Sequence, residues 1–366
     1  MASVSRQPGL EAAAGFRQTK RRAKDQPESP DMTEDDTVIT RREGRVGRIL
    51  LNRPRVLNTL TLDMVRVFTQ ALHAFRDDPH VHAVVVEGAG DRAFCAGGDI
   101  RALRDGQLSG DRTGVEAFFR EEYDLNLLIS AYPKPYIALI DGICMGGGIG
   151  VSAHGPYRVA TEHAMFAMPE TAIGFFPDIG GTFFLPRLPG QLGIHLGLTG
   201  LRTTGADAVH AGFATHFTSR ANLPALSETL AEIGVAALAR FAEPLPPCTI
   251  ASDLAAIDRC FAADTIGEIA ARLAAEPGDW AAAALKALRT VSPTALGFTL
   301  EAFRRGADMT LKQTLDAEFL LTRTTMAYPD FAEGVRAMVV DKDRQPKWQP
   351  TRIEDIDQGV VDAMFR

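Results

Sequence analysis

Two short glycine-rich loops, each after an apolar run and each entering helix-like sequence, constrain this chain most. The first is Ala93-Phe94-Cys95-Ala96-Gly97-Gly98-Asp99-Ile100, after Ala83-Val84-Val85-Val86; the second is Met145-Gly146-Gly147-Gly148, after Tyr136-Ile137-Ala138-Leu139-Ile140. A strand ending in glycines at a helix start leaves backbone N–H groups free to face a ligand. Two such loops side by side can point two N–H groups at one oxygen, the geometry of an oxyanion hole for an acyl group. A single loop reads as a tight turn. Two loops, both after apolar strands, favour a ligand site.

The pattern around them alternates short apolar strands with helices, as in right-handed βαβ or ββα units. Thr37–Thr40 and Val46–Leu51 read as a strand pair about Glu43-Gly44, stopped by Pro54. Thr61 caps a helix whose apolar positions are Met64, Val65, Phe68, Leu72 and Phe75. A polar gap follows at 104–114 and a helix at 115–130. Residues 191–240 read as helices with an apolar interlude at Ala214–Phe217. Glu243-Pro244-Leu245-Pro246-Pro247 reads as a linker, and helices are expected at 251–262, 265–274, 278–289, 293–305 and 310–327. The expected organisation is an α/β core over 37–242 and a helical C-terminal region over 243–366. Residues 1–36 lack periodicity and are expected to be a disordered extension. No repeat of fixed period is visible.

The net charge of −7 argues against general nucleic-acid binding. No apolar run approaches the roughly 20 residues of a membrane span. Cys95, Cys144, Cys248 and Cys260 show no CxxC spacing and fit a reducing compartment. The expected location is therefore cytoplasmic; the alternative is the mitochondrial matrix, if Arg17, Arg21 and Arg22 belong to a transit peptide. His154, His163, His210 and His216 lack metal-ligand spacing, so no metal is expected. No GxSxG elbow is present. Gly148-Ile149-Gly150-Val151-Ser152-Ala153 fits a dinucleotide fingerprint, with Glu170 downstream. That reading leaves the first glycine loop unexplained, and Glu170 follows Met168-Pro169 rather than ending a strand.

Three carboxylates stand in apolar surroundings. Glu122 shares a helix face with Phe118, Leu125 and Ile129, whereas Glu121 falls on the side of Ala117, Asp124 and Leu128. A carboxylate in an apolar stripe is paired, hydrogen-bonded or protonated when buried; the plainer alternative is a snorkelling or ion-paired glutamate. Glu170 and Asp178 are flanked by Met165, Phe166, Met168, Phe175 and Phe176. Two carboxyls in one such pocket have their pKa values pushed apart, one serving as anion and one as proton donor. Alternatively, Asp178 caps a helix starting near Gly180.

Leu51-Asn52-Arg53-Pro54…Leu57-Asn58, followed by the two glycine loops in this order, resembles the crotonase (enoyl-CoA hydratase/isomerase) superfamily. Within it, Phe119-Arg120-Glu121-Glu122-Tyr123, the stretch Phe166–Asp178, Phe331-Ala332-Glu333-Gly334-Val335-Arg336-Ala337 and Asp341-Lys342-Asp343…Pro346-Lys347-Trp348 resemble its 3-hydroxyisobutyryl-CoA hydrolase branch. The resemblance runs from about 37 to 349. It implies a spiral of ββα units with terminal helices. It also implies hydrolysis of a short branched 3-hydroxyacyl-CoA thioester, 3-hydroxyisobutyryl-CoA of valine breakdown, to the free acid and CoA.

By the same resemblance, the N–H groups of Gly98 and Gly147 hold the thioester carbonyl, and Ala96, Gly97, Gly98, Asp99 and Ile100 hold CoA. Glu122 holds the 3-hydroxyl, while Glu170 is nucleophile or general base. Asp178 assists by proton transfer or by orienting the acyl group. Gly147, Glu170 and Asp178 also touch the substrate. Phe331 and Lys342 stand where the superfamily often contacts CoA; the plainer readings are a core aromatic and a solvated charge. CoA is part of the substrate, no separate cofactor is implied, and a homo-oligomer is compatible with the sequence.

One departure is informative. The superfamily's hydratases carry a second glutamate three residues beyond the oxyanion glycine, where this chain has Gly150, and usually have glycine where it has Asp178. The exchange moves the reading from hydratase to hydrolase. The rivals are an enoyl-CoA hydratase or isomerase, and a catalytically silent acyl-CoA-binding or assembly protein.

Overall fold

The apolar runs form strands of two sheets in a computed structural model that describes residues 36–366. The expected N-terminal extension lies outside these residues except for Asp36. The strands are β1 (Val38–Glu43), β2 (Val46–Leu51), β3 (Ala83–Gly88), β4 (Ala93–Cys95), β5 (Tyr136–Ile140), β6 (Ile143–Met145), β7 (Tyr157–Ala160), β8 (Met165–Ala167), β9 (Thr203–Thr204) and β10 (His216–Phe217). One sheet has the order β1-β2-β3-β5-β7-β10 and the other β4-β6-β8-β9. β1 and β2 form the expected antiparallel pair, and Thr61 caps the helix α1 (Leu62–Asp77) through the N–H of Met64.

The chain climbs through three ββα turns. Each places one strand in the first sheet (β3, β5, β7) and the next in the second (β4, β6, β8). A helical segment follows: α2 (Ile100–Ser109), then, beyond α3 (Arg112–Ser130), α4 (Gly147–Ala153), and last the 3-10 turn Glu170–Ile173. The units start at residues 83, 136 and 157, so the structural repeat has no fixed sequence period. The glycine loops close the short strands β4 and β6, rather than the longer runs β3 and β5 that precede them.

β3, β5 and β7 are apolar on both faces because both are covered. Val84, Val86, Ala138, Ile140 and Ala160 join the main core. Val85, Ile137, Leu139 and Val159 pack instead with Leu226, Leu230 and Leu238. The polar stretch expected as a gap at 104–114 is largely helical. α2 runs to Ser109, Gly110 (φ +83°) ends it, and Asp111 caps α3 by accepting from Gly114 N–H. Its polarity is that of an exposed helix, in which only Leu103 is buried.

Beyond residue 243 the helices Leu254–Phe261, Ile266–Ala275, Asp279–Thr290, Pro293–Gly306 and Leu311–Ala327 stand where periodicity places them. The described residues form one compact unit, so these helices share the core of the α/β part. Helix Leu311–Ala327 lies against α3, and a further helix, Pro329–Val335, lies against the 3-10 turn of Glu170 and against α2. There a Cβ on Gly334 would meet Ile173 backbone carbon at 2.5 Å, so only glycine allows this approach. None of the helices among the described residues is long and apolar enough to cross a membrane.

Candidate active site

β4 and β6 pair in parallel with Cys95 opposite Cys144, which sets the two glycine loops side by side. Gly97 (φ +106°) and Gly146 (φ +48°) make the turns, in backbone conformations that L side chains rarely adopt. A Cβ built on Gly147 would stand 3.3 Å from the Gly98 nitrogen, so the two N–H groups are close neighbours. Among the described residues, neither N–H has a backbone acceptor. Gly147 is the first residue of α4, where the helix leaves its N–H unused.

Both loops open into a cavity of about 270 Å³, lined also by Glu122, Glu170 and Asp178. Apolar walls come from Leu103, Phe118, Phe119, Phe175 and Ile179. Met338 and Val339 add a side that sequence reading missed; they sit on the π-helical turn Arg336–Val340. A larger cavity, about 360 Å³, lies between α3 and helix Leu311–Ala327 and holds none of these three carboxyls. The smaller one brings the three carboxyls and both glycine loops together.

Of the residues expected to hold CoA, Ala96, Gly97, Gly98 and Ile100 line the cavity. The Asp99 side chain is used elsewhere: it caps α2 and pairs with Arg53 at 3.2 Å. Phe331 is fully buried against Phe175, as a core aromatic. The dinucleotide-like stretch Gly148–Ala153 lies within α4 and forms no phosphate loop between strand and helix.

Glu122 faces inward from α3 and is 2% exposed, whereas Glu121 points outward to a bidentate pair with Arg66 at 2.8 Å. Glu122 Oε1 and Glu170 Oε2 are buried without a hydrogen-bond partner among the described residues. Burial pushes both carboxyls well above the usual carboxylate range, and the nearby Asp178 charge pushes further. Asp178 is raised to about 7 by burial, opposed by the hydroxyl of Tyr123, which donates to its Oδ2 at 2.7 Å. Among the described residues, no lysine, arginine or histidine lines the cavity. Three carboxyls in one apolar site therefore each favour the protonated form more than a solvated carboxyl does.

Asp178 caps no helix with its side chain; Gly180 starts the short helix Gly181–Phe184. The next residue, Ile179, has φ +53°, rare for a β-branched residue, and its carbonyl is held by His154 Nε2 at 2.7 Å. The backbone N–H groups of Gly180 and Thr182 donate to Glu318 on helix Leu311–Ala327, at 2.7 and 3.0 Å. The loop that presents Asp178 is thus held from two sides. Asn126, one turn beyond Glu122, is fully buried with both amide atoms unpartnered among the described residues. A Cβ on Gly150 would stand 3.0 Å from its Nδ2, so Asn126 takes up space beside Gly150. Sequence reading missed Asn126, although its place on the Glu122 face was readable from the helical period.

The sequence profile of the enoyl-CoA hydratase/isomerase family matches residues 46–365. The chain belongs to that family. The 3-hydroxyisobutyryl-CoA hydrolase, mitochondrial, of Xenopus tropicalis is 42% identical over 343 residues, spanning 90% of this chain and 89% of the relative. The human protein of the same name is 40% identical over 343 residues, with the same coverage of 90% and 89%. Two solved structures share the fold and much of the sequence. A carnitinyl-CoA dehydratase from Mycobacterium thermoresistibile has a TM-score of 0.87 at 40% identity, over 91% of this chain and 97% of its own. An enoyl-CoA hydratase from Rhodobacter sphaeroides has a TM-score of 0.84 at 41% identity, over 90% and 97%. The ββα spiral of this family member is therefore that of its relatives, and its crotonase-type glycine loops occupy one site.

The raised proton affinity of Asp178 has a consequence for stability. The carboxyl's ordinary value is 3.8 and its folded value about 7, so the folded state binds more protons between these limits. Stability present below about pH 4 is then lost as pH rises through about 7, by at most ~4 kcal/mol. The melting temperature is expected to fall over this window, and less steeply in Asp178→Asn. At pH 8 the variant is expected to melt several degrees higher. Thermal scans between pH 4 and 8 check this; parallel curves for the two proteins would refute it.

Proposed function

We propose that this protein hydrolyses the CoA thioester of a short branched 3-hydroxy acid, with 3-hydroxyisobutyryl-CoA as the substrate. The observation that carries the reading is the placement of acids: Asp178 shares the cavity with Glu170, while residue 150 has no side chain and faces Asn126. The names of the curated relatives support it.

The thioester oxygen sits between the N–H groups of Gly98 and Gly147, which meet the charge that develops as the carbonyl is attacked. Glu170, as its anion, attacks the carbonyl carbon or takes a proton from the attacking water. Asp178 gives a proton to the departing thiolate or orients the acyl group. Glu122, whose Oε1 has no partner among the described residues, bonds the 3-hydroxyl. CoA enters as part of the substrate, along Ala96, Gly97 and Ile100. The word mitochondrial in the relatives' names supports the transit-peptide alternative for the N-terminal segment; Arg17, Arg21 and Arg22 lie outside the described residues.

A hydratase is the second reading, favoured by the names of the two proteins of similar structure. Adding water across a double bond in this superfamily uses a glutamate at the position of Gly150, so the acid set here favours hydrolysis. Release of free thiol from 3-hydroxyisobutyryl-CoA, against loss of absorbance of a 2-enoyl-CoA, tests one against the other.

The hydroxyl preference is the sharper test. The kcat/KM for 3-hydroxyisobutyryl-CoA is expected to exceed that for isobutyryl-CoA by at least about tenfold, because a buried acceptor without its hydroxyl stays unpaired. Equal values would remove Glu122 from the proposed role.

A further inference from the structure

Asp178 is the start of a chain of hydroxyls that reaches out of the cavity. Its Oδ2 accepts from Tyr123 on α3 at 2.7 Å. The Tyr123 hydroxyl lies 3.0 Å from Thr322 Oγ1, on helix Leu311–Ala327, with either atom able to donate. Thr322 in turn donates to the backbone carbonyl of Glu318 at 2.8 Å. Asp178, Tyr123 and Thr322 are all at least nine-tenths buried, at 6%, 4% and 2% exposure. A buried hydroxyl or carboxyl left without a partner is costly, so this chain has to stay paired in whatever protonation state it holds.

The proton count allows two complete arrangements. With Asp178 ionised, Tyr123 donates to Oδ2, and Thr322 donates to Glu318 C=O or to Tyr123. With the proton on Oδ2, Asp178 donates to the Tyr123 oxygen, Tyr123 donates to Thr322 Oγ1, and Thr322 donates to the Glu318 carbonyl. Three O–H groups then meet three acceptors. The change needs only that the hydroxyls turn; no heavy atom moves. The terminal carbonyl can only accept, which gives the chain its end.

We infer that Tyr123 and Thr322 are positioning residues that serve both protonation states of Asp178, reversing together as its proton arrives or leaves. This rests on the proposed reading in that thioester cleavage gives Asp178 a proton to hold and deliver. The charged and titratable groups on the facing elements are Glu122 on α3, Glu170 on its 3-10 turn, Glu318 on helix Leu311–Ala327, and His154 at the end of α4. His154 is kept neutral by burial, down to about 4. All four groups stay in place in the variants below, so differences between the variants belong to the hydroxyls.

The two hydroxyls have opposite effects when removed. Tyr123→Phe deletes the donor to the ionised form and the acceptor of the protonated one; the bond to the charged form is the stronger, so Asp178 binds its proton more tightly, by up to about tenfold. Thr322→Val keeps Tyr123 as donor to the anion but deletes the acceptor that the protonated arrangement needs. Asp178 then binds its proton more weakly, by at least about threefold. Thr322→Ser restores the hydroxyl and the wild-type value. A packing role for Tyr123 and Thr322 gives no such opposition of sign.

The experiment is a carboxyl titration of the full chain, labelled with ¹³C at aspartate, with the Asp178 signal assigned by its loss in Asp178→Asn. It needs no substrate, so it stands even if thiol release fails; that failure overturns the thioester reading and leaves the hydroxyl chain standing. The expected result is a midpoint moved up, by as much as about one pH unit, in Tyr123→Phe, down by about half in Thr322→Val, and unchanged in Thr322→Ser. Shifts of the same sign in Tyr123→Phe and Thr322→Val, or no shift in either, would overturn the inference. Should Tyr123→Phe fail to fold, Thr322→Val against Thr322→Ser decides alone: a midpoint that does not fall relative to serine overturns it.

Discussion

Glu170→Gln is expected to lower turnover at least about 10²-fold while leaving CoA-thioester binding largely intact. Glutamine keeps the shape of the side chain but can neither attack a carbonyl nor accept a proton. The loss expected is at least that of a positioned acid–base group, about 10² at its low end. The wild-type pH profile carries the same signature. Burial and the Asp178 charge hold Glu170 protonated well above the usual carboxylate range, and only its anion can react. Turnover should therefore rise with pH over a range well above 4.5. A single turnover in labelled water separates the two roles of Glu170. Water can open a mixed anhydride at either carbonyl, so the nucleophile version leaves part of the label in Glu170; the base version sends all of it to the product acid. Asp178→Asn should slow turnover without changing where the label goes. Near-normal activity of a folded Glu170→Gln protein would refute both versions.

Gly147→Ala is expected to lower kcat by about 10²–10³-fold, the range seen when one oxyanion donor is lost. The backbone at Gly147 accepts an L residue, since its φ is not positive. The obstacle is space. An added Cβ would stand 2.4 Å from Glu122 Oε1 and 3.3 Å from the Gly98 nitrogen. Glu122 Oε1 is the end of a side chain that lines the cavity, so the methyl group displaces the carboxyl from its place beside the loop or shifts the loop that carries the N–H. The thiol-release assay reads the loss, and melting temperature checks that the fold persists. Gly98→Ala is milder by geometry: its Cβ would meet the Phe118 ring tip at 3.0 Å, a contact the ring can relieve by a few tenths of an ångström. Equal, small effects at both glycines would remove the oxyanion role.

Much of this was legible in the residues. Apolar periodicity placed most of the helices beyond residue 243, because each buries a stripe at the 3.6-residue period and three of them begin at a capping Thr or Ser. Thr61, Thr265, Ser292 and Thr310 each accept from a helix-start N–H, a contact spanning three residues. The same period separated Glu122 from Glu121, and the structure puts one in the cavity and the other on Arg66. Local rules misjudged 104–114, where polarity belonged to an exposed helix. They also missed Pro329–Val335 and the π-helical turn after it, which is defined by what it packs against.

The sequence by itself determined the two glycine turns and the helix face that separates Glu122 from Glu121, because these depend on residues a few positions apart. Only the tertiary structure decided that the turns adjoin, since that depends on the parallel register of Cys95 against Cys144. It also decided the protonation of the site. Glu122, Glu170 and Asp178 hold protons more tightly than ordinary carboxyls because distant segments exclude water and, among the described residues, no cationic side chain lines their cavity. The hydroxyl chain from Asp178 joins Tyr123 across 55 residues and Thr322 across a further 199 from Tyr123, separations at which no sequence period reports a contact. Burial and long-range hydrogen bonding are properties of the packed chain, so the chemistry of these carboxyls exists only once the helical region has closed over the spiral.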